Sequence, residues 1–361
     1  MHRRHFIGMS GAVALAGAAG LPRFEAHAQA AYSAIDLGVP DGFDSVVPVA
    51  LNNNGAAVVS ATSANASGIF IVENGAFTQV GEPDEIAVAT SLNDANQVGG
   101  WVQGASDGSG PTPELPVLLT KDGQAEMPGD RLEGRVYAVA SEGLAVGEAA
   151  VDEAHAARRA VIWDNQEVAE LKGTPEGSAS AARDLNALGQ IVGWIGADDG
   201  SQRKAVMFSL DDDPIELGTL AGSLSEAIAI SEQGMIVGNS STSDDQTELT
   251  GNAVAAFSWT DGAMTALHTL ENQAWSTATD VNSYGLVAGT VGLSAPATAS
   301  AATTAVVWAP DAVLDLNQIV EPVDGLTLTA AVAINELGQV LCSAVDAAGV
   351  SHAVLLSVLG N

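Results

Sequence analysis

The stretch DLNALGQIVGW, Asp184 to Trp194, decides the reading of this chain, because near copies of it recur along almost its whole length. The others are ALNNNGAAVVS from Ala50, SLNDANQVGGW from Ser91, AVASEGLAVGE from Ala138, AISEQGMIVGN from Ala229, DVNSYGLVAGT from Asp280 and AINELGQVLCS from Ala333, which makes seven. In each, an apolar residue ends one extended segment, four turn residues follow, and a run of small and β-branched residues begins the next. That is the pattern of a β-hairpin. The first turn position holds Asn52, Asn93, Asn186, Asn282, Asn335 or Ser231, whose side-chain oxygens can accept from the backbone two residues on, and only Ala140 departs from it. The last turn position holds Gly55, Gly143, Gly189, Gly234, Gly285 and Gly338, where a type I turn closing a hairpin needs positive φ. Asn96 replaces glycine once, and Asn is the other residue that tolerates that backbone.

Working outward, the turn-opening positions 52, 93, 140, 186, 231, 282 and 335 are separated by 41, 47, 46, 45, 51 and 53 residues. Such periods, with several strands in each, fit the blades of a propeller. A third strand follows every hairpin, for example GIFIV from Gly68, AVIWD from Ala160 and AVLLS from Ala353, and a fourth follows six of them, for example PIELG from Pro214. The seventh repeat stops after its third strand, whereas AIDLG, Ala34 to Gly38, matches a fourth strand with no hairpin before it. Pairing these two segments would close a ring without sheet edges between the ends. The expected fold is all-β: one domain over 31–361, a seven-bladed β-propeller of four-stranded blades, closed by an N-terminal strand that completes the last blade.

Small residues two and four places before the turn, such as Ala50, Ala138, Ala229, Ala182, Ala227 and Ala331, are expected to face the crowded axis, because side chains alternate along a strand. The intervening Leu51, Leu92, Leu185, Ile230, Val281 and Ile334 are expected to pack between blades. Trp163, Trp259 and Trp308 repeat in the third strand and read as packing residues.

The first thirty residues have a different character. Charged at the start, apolar and rich in small residues from Phe6 to Leu21, with A-x-A sites ending at Ala28 or Ala30, they read as an export signal over 1–30. Arg3-Arg4-His5-Phe6-Ile7 resembles a twin-arginine motif. The expected location is therefore outside the cytoplasm, periplasmic or extracellular. No other segment approaches the ~20 apolar residues of a membrane span.

Charge narrows the partners. The chain of 361 residues carries 44 acidic and 12 basic residues, a formal charge of −32, which disfavours nucleic acid and anionic membranes and leaves cations and basic partners open. The one cysteine, Cys342, excludes an internal disulfide and reads as a buried thiol.

The repeats resemble those of the HAF-repeat family of bacterial extracellular proteins, whose copies read approximately A-x-x-I-N-x-x-G-x-V-V-G, an apolar strand and an L-G ending. AVAINELGQVL, RDLNALGQIVGW and IELGTLAGSLSEAIAI carry the resemblance. The His-Ala-Phe tripeptide of the family name survives as Ser351-His352-Ala353-Val354. The resemblance implies an exported repeat protein and brings no catalytic residues with it.

Chemistry is sparse in the sequence. GASDG, Gly104 to Gly108, fits G-x-S-x-G but lacks the strand-to-helix setting of a nucleophile elbow. His155, His268 and His352 lie in three different repeats without metal-ligand spacing, and the acidic runs around Asp198, Asp212 and Asp244 read as solvated loops. Asp184 and Asp280 are the exceptions, since they stand where other copies have Ala or Ser. They are candidates to line the axis and bind a cation or act as an acid–base pair, or else to accept neighbouring backbone N–H groups or pair with Arg183. Phe43, Tyr137 and Trp275 are the aromatics expected near the axial mouth, enough for one sugar platform. The catalytic residues are unknown, and neither a metal nor a cofactor is expected. The expected function is that of an exported, monomeric binding module for a glycan, a cation or an envelope protein. A propeller hydrolase or lyase using axial carboxylates, and a structural envelope protein, are the alternatives.

Overall fold

In the computed structural model each copy of the repeat is the inner hairpin of one four-stranded antiparallel sheet. The structure describes residues 31–81, 87–105, 112–127, 133–140, 143–150, 157–164, 167–210, 212–244, 249, 252–295, 303–323 and 325–359. The expected export signal, with Arg3, Arg4, Ala28 and Ala30, lies outside them, as do His155 and most of GASDG.

After a first strand β1 (Tyr32–Asp36), blade 1 is β2 (Ser45–Leu51), β3 (Ala57–Thr62), β4 (Ser67–Glu73) and β5 (Ala76–Val80). Blade 2 is β6 (Ala87–Leu92), β7 (Val98–Gln103), β8 (Glu114–Thr120) and β9 (Gly123–Glu126). Blade 3 is β10 (Gly134–Val139), β11 (Leu144–Ala149), β12 (Arg159–Asp164) and β13 (Glu167–Glu170). Blade 4 is β14 (Ser178–Leu185), β15 (Ile191–Ala197), β16 (Lys204–Phe208) and β17 (Ile215–Gly218). Blade 5 is β18 (Ser225–Ile230), β19 (Ile236–Ser241), β20 (Val254–Thr260) and β21 (Ala263–Ala266). Blade 6 is β22 (Trp275–Val281), β23 (Val287–Gly292), β24 (Thr303–Ala309) and β25 (Ala312–Asp315), followed by a four-residue helix α1 (Leu316–Ile319). Blade 7 is β26 (Thr327–Ile334), β27 (Val340–Val345) and β28 (Ser351–Val358), and its fourth place is taken by β1.

Closure is by the expected pairing. Strand β1 runs antiparallel to β28 with Ile35 opposite Leu355 and Asp36 opposite Val354. Its free edge is not left bare: Ala31 N–H donates to Ile319 O and Glu321 N–H to Tyr32 O. The first strand of each blade neighbours those of the two adjoining blades, β26 meeting β2, so the seven sheets form a ring. The fold is a seven-bladed β-propeller.

The core is distributed over the seven seams. Val58, Ile71, Leu92 and Val117 fill the seam between blades 1 and 2; Leu118, Val136 and Trp163 fill the next. Ile191, Val206 and Ile162 join blades 3 and 4, and Ile230, Val192 and Phe257 join 4 and 5. Val237 and Trp308 join 5 and 6, Val307 and Ile334 join 6 and 7, and Leu341 and Leu51 complete the circle. Leu51, Leu92, Ile230, Val281 and Ile334 thus pack as expected, and Cys342 is a fully buried thiol in the sixth seam.

The turns are as the residues require. Gly55, Gly143, Gly189, Gly234, Gly285 and Gly338 have φ between 73° and 83°, and Asn96 has φ 58°. Each turn asparagine does more than cap its own turn. Asn52 Oδ1 accepts from Asn54 and Ala56 N–H, while its amide donates to Asn93 O in the next blade. Asn93 reaches Ala140 O, Asn186 reaches Ser231 O, Asn282 reaches Asn335 O and Asn335 reaches Asn52 O, all at 2.9–3.1 Å. These buried amides form a belt around one end of the ring, interrupted where Ala140 and Ser231 stand.

Candidate functional site: the axial channel

One expectation about the axis is corrected. Every innermost strand carries a β-bulge three residues before its turn, so strict alternation fails there. A bulge sets two adjacent residues against one partner and turns the strand. As a result Ala182, Ala227, Ala278 and Ala331, four before the turn, rotate into the seams between blades and do not face the axis. The bulge residues take their place. A cavity of about 740 Å³ runs along the axis, walled by two rings of side chains. One is the small-residue ring with Asp184 and Asp280 in it; the other is the bulge ring of Val49, Thr90, Tyr137, Arg183, Ile228, Thr279 and Val332.

In five blades the bulge also explains a glycine on the second strand, while Val59 and Cys342 hold that place in blades 1 and 7. A Cβ on Gly100, Gly147, Gly193, Gly238 or Gly289 would lie 1.9–2.1 Å from the carbonyl oxygen two residues before the bulge on the paired strand. Only glycine admits so close a backbone approach.

Asp184 and Asp280 line the channel as expected and act there as fasteners. Asp184 Oδ1 accepts from Leu185 N–H at 2.8 Å, and its Oδ2 from Ile230 N–H of blade 5 at 2.8 Å. Asp280 repeats the arrangement with Val281 N–H at 2.7 Å and Ile334 N–H of blade 7 at 2.8 Å. Burial pushes both carboxyls up to about 7; the backbone N–H bonds oppose this, and the charge of Asp280 raises Asp184 further. Accessible from the lumen alone, these groups are enclosed by protein on their other sides. No cluster of three or more His, Cys, Asp or Glu able to hold a metal occurs among the described residues.

Tyr137 also lines the channel, but Phe43 and Trp275 do not. Phe43 is drawn into the core of blade 1, edge-on to Phe70 at 5.2 Å, and Trp275 is 8% exposed at the start of β22. Aromatic contact with the channel comes instead from Trp101 on β7, whose ring meets Tyr137 edge-on at 6.4 Å. Two arginines stack on this pair: Arg135 lies 5.0 Å over Trp101 and Arg183 lies 4.4 Å over Tyr137. Arg183 therefore faces Tyr137, not Asp184. Burial, and next the charge of Glu148, push the Tyr137 phenol above its ordinary value, while Arg183 and Arg135 pull it back.

Arg135 is the more constrained arginine. It holds Glu114 with two bonds, Nε to Oε2 at 2.8 Å and Nη2 to Oε1 at 2.9 Å, and Arg158 joins Glu114 and Glu148 beside it. The hydrogen bond from Arg135 leads the causes that keep Glu114 below the usual carboxylate range. Trp101 and Arg135 were not singled out by their sequence setting, and Arg183 only as a partner for Asp184. A signal was present, however: all nine Lys and Arg of residues 31–361 fall between Lys121 and Lys204.

His352 Nδ1–H donates to Asp36 Oδ2 at 2.9 Å, which places it on the closing pair of strands and away from the channel. Trp163 and Trp308 are buried at the seams, as packing requires.

No family model matches the chain, and no curated protein matches it. Among solved structures, the β-propeller domain of the trilobed protease from Pyrococcus furiosus is similar, with a TM-score of 0.55 at 10% identity over 89% of this chain and 94% of that one. That likeness concerns the fold alone. The domain is described as having an open velcro topology, whereas here β1 and β28 are paired in register over five residues.

Proposed function

We propose that this propeller is an exported binding module of the HAF-repeat kind, which takes a small ligand or a ligand end-group into its axial channel. The observation that carries the reading is the Trp101–Tyr137 wall with Arg183 upon it, set in a cavity whose about 740 Å³ falls within the range of ligand sites. A rigid ring whose seams are closed by buried side chains suits presentation of such a wall. The twin-arginine-like start of the chain supports export. No helix among the described residues is long and apolar enough to cross a membrane.

A second reading, hydrolysis or lysis of a glycan by axial carboxylates, draws support from Asp184 and Asp280 lying near 7, where a general acid works well. Binding is favoured because all four oxygens of these carboxylates already accept backbone N–H groups.

The test is a thermal-shift screen of residues 31–361 against mono- and oligosaccharides and divalent cations, repeated on an Ala229→Phe variant that fills the lumen. Saturable stabilisation of the native chain that the filled variant loses supports the channel as the site. Stabilisation that survives the filling places the ligand elsewhere. Release of reducing ends, lost in Asp184→Asn, would favour the second reading.

A further inference from the structure

We propose that the ligand of the channel bears a carboxylate, which the guanidinium of Arg183 receives while Tyr137 holds that guanidinium in place. The proposal rests on the channel being the binding site and narrows what enters it.

Of the arginines whose side chains are described, four have carboxylate partners: Arg135 and Arg158 on Glu114, Arg159 on Glu170 and Arg203 on Glu226. Arg183 differs. Among the described residues its guanidinium makes no ion pair and no hydrogen bond, although it is half-buried on the channel wall of a chain with a formal charge of −32. Its neighbour Asp184 does not quench it, because both oxygens of that carboxylate are turned to the N–H groups of Leu185 and Ile230.

A guanidinium taken partly out of water without a hydrogen-bonding partner is costly, and stacking on one ring replaces little of what is lost. The arrangement is the one expected of a group kept in readiness for a guest. Stacked on Tyr137, the planar fork is already oriented, so less side-chain freedom is lost when it pairs. Two of its five N–H donors can meet the two oxygens of a carboxylate in parallel, and Arg is favoured where that planar match matters.

Asp184 and Asp280 face the same lumen and repel an anion when ionised, but the cations of the chain gather on the side of Arg183. Every Lys and Arg of residues 31–361 lies between Lys121 and Lys204, so blades 1, 5, 6 and 7 have none with which to hold an anion. Trp101 gives the guest an apolar wall beside the charge. Acidic sugars and small organic acids share the required chemistry.

Calorimetric titration of residues 31–361 with glucuronate, glucose, citrate and sulfate tests this. Glucuronate and glucose are matched but for the carboxylate. Glucuronate or citrate is expected to bind saturably and glucose at least about tenfold more weakly, as a lost charge-assisted pair implies. Binding of glucuronate alone assigns an acidic sugar, and of citrate alone an organic acid. Arg183→Gln should lose at least about tenfold in affinity without a lowered urea midpoint, Arg183→Lys should recover part of it, and Arg203→Gln, an equal loss of charge outside the channel, should bind as the native chain does. Equal affinity in Arg183→Gln overturns the proposal. Glucose binding as tightly as glucuronate overturns it while leaving the channel as a site. Sulfate displacing glucuronate in proportion to ionic strength in the native chain and in both glutamine variants alike would show nonspecific anion attraction and overturn it too. If none of the four binds, the carboxylate assignment falls, and the screen with the filled lumen decides whether the channel reading falls with it.

Discussion

The side-chain amide of Asn335 donates a 2.9 Å hydrogen bond to the backbone carbonyl of Asn52, 283 residues earlier, and so ties the last blade to the first. Its Oδ1 meanwhile accepts from Leu337 and Gln339 N–H in its own turn. One 3% exposed side chain thus shapes a turn and a blade seam together. Replacing it strands buried groups on both sides, so Asn335→Ala should cost about 2 to 3 kcal/mol. Urea denaturation measures this.

The belt can also be extended. Ser231 is 2% exposed and its hydroxyl accepts from Met235 N–H, but it is too short to cross to the Asn282 carbonyl as the other turn asparagines cross to theirs. Ser231→Asn should supply the missing bond and raise stability by about 1 kcal/mol. An unchanged or lowered urea midpoint would show that this seam is spaced differently from the rest.

Stability should carry the mark of the two axial carboxylates. Their folded values, about 7, lie above the ordinary 3.8, so between about pH 4 and about pH 7 the folded chain holds more protons than the unfolded chain. Their contribution therefore falls as pH rises through that window and is level above it. The difference in unfolding free energy between the native chain and Asp184→Asn should change by at least about 1 kcal/mol from pH 5 to pH 8, in the direction that favours the native chain at the lower pH. A pH-independent difference would mean that Asp184 is ionised throughout.

Glycine substitutions separate two physical causes. At Gly193 a Cβ would meet Ala181 O at 2.0 Å, so Gly193→Ala should push the bulge aside and cost about 3 kcal/mol or more. At Gly75, φ is 78° but nothing lies within 4 Å, so Gly75→Ala should cost about 1 kcal/mol through backbone strain alone. Equal costs at both sites would contradict the tight bulge.

The hairpins, the number of blades and the closing pair were legible in the sequence because each is written in residues with little backbone choice. Gly and Asn at positive φ mark the turns, and an unpaired fourth strand at one end matches a missing one at the other. The channel was legible only in part. Asp184 and Asp280 stood out as exceptions to a column of small residues and do line it. Tyr137, expected near the axial mouth, does line the channel, whereas Phe43 and Trp275 pack into the blades. The bulge was the obstacle: it breaks the period of two on which the reading relied, and it brings Arg183 and Thr279 to the axis from positions that alternation assigns to the seams. The sheer proximity of nine cations in sequence was visible but says nothing of direction until the strands are placed.

The ring's closure by its two terminal strands underlies the channel and all that is proposed for it. Native-state hydrogen exchange, read at single residues, tests it directly. The strand amides of Tyr32–Asp36 that face β28 should be protected to the same degree as those of Ser351–Val358 and should be released with them in urea. Exchange of Tyr32–Asp36 at the rate of an unstructured peptide, with the seven blades still protected, would contradict the closed ring.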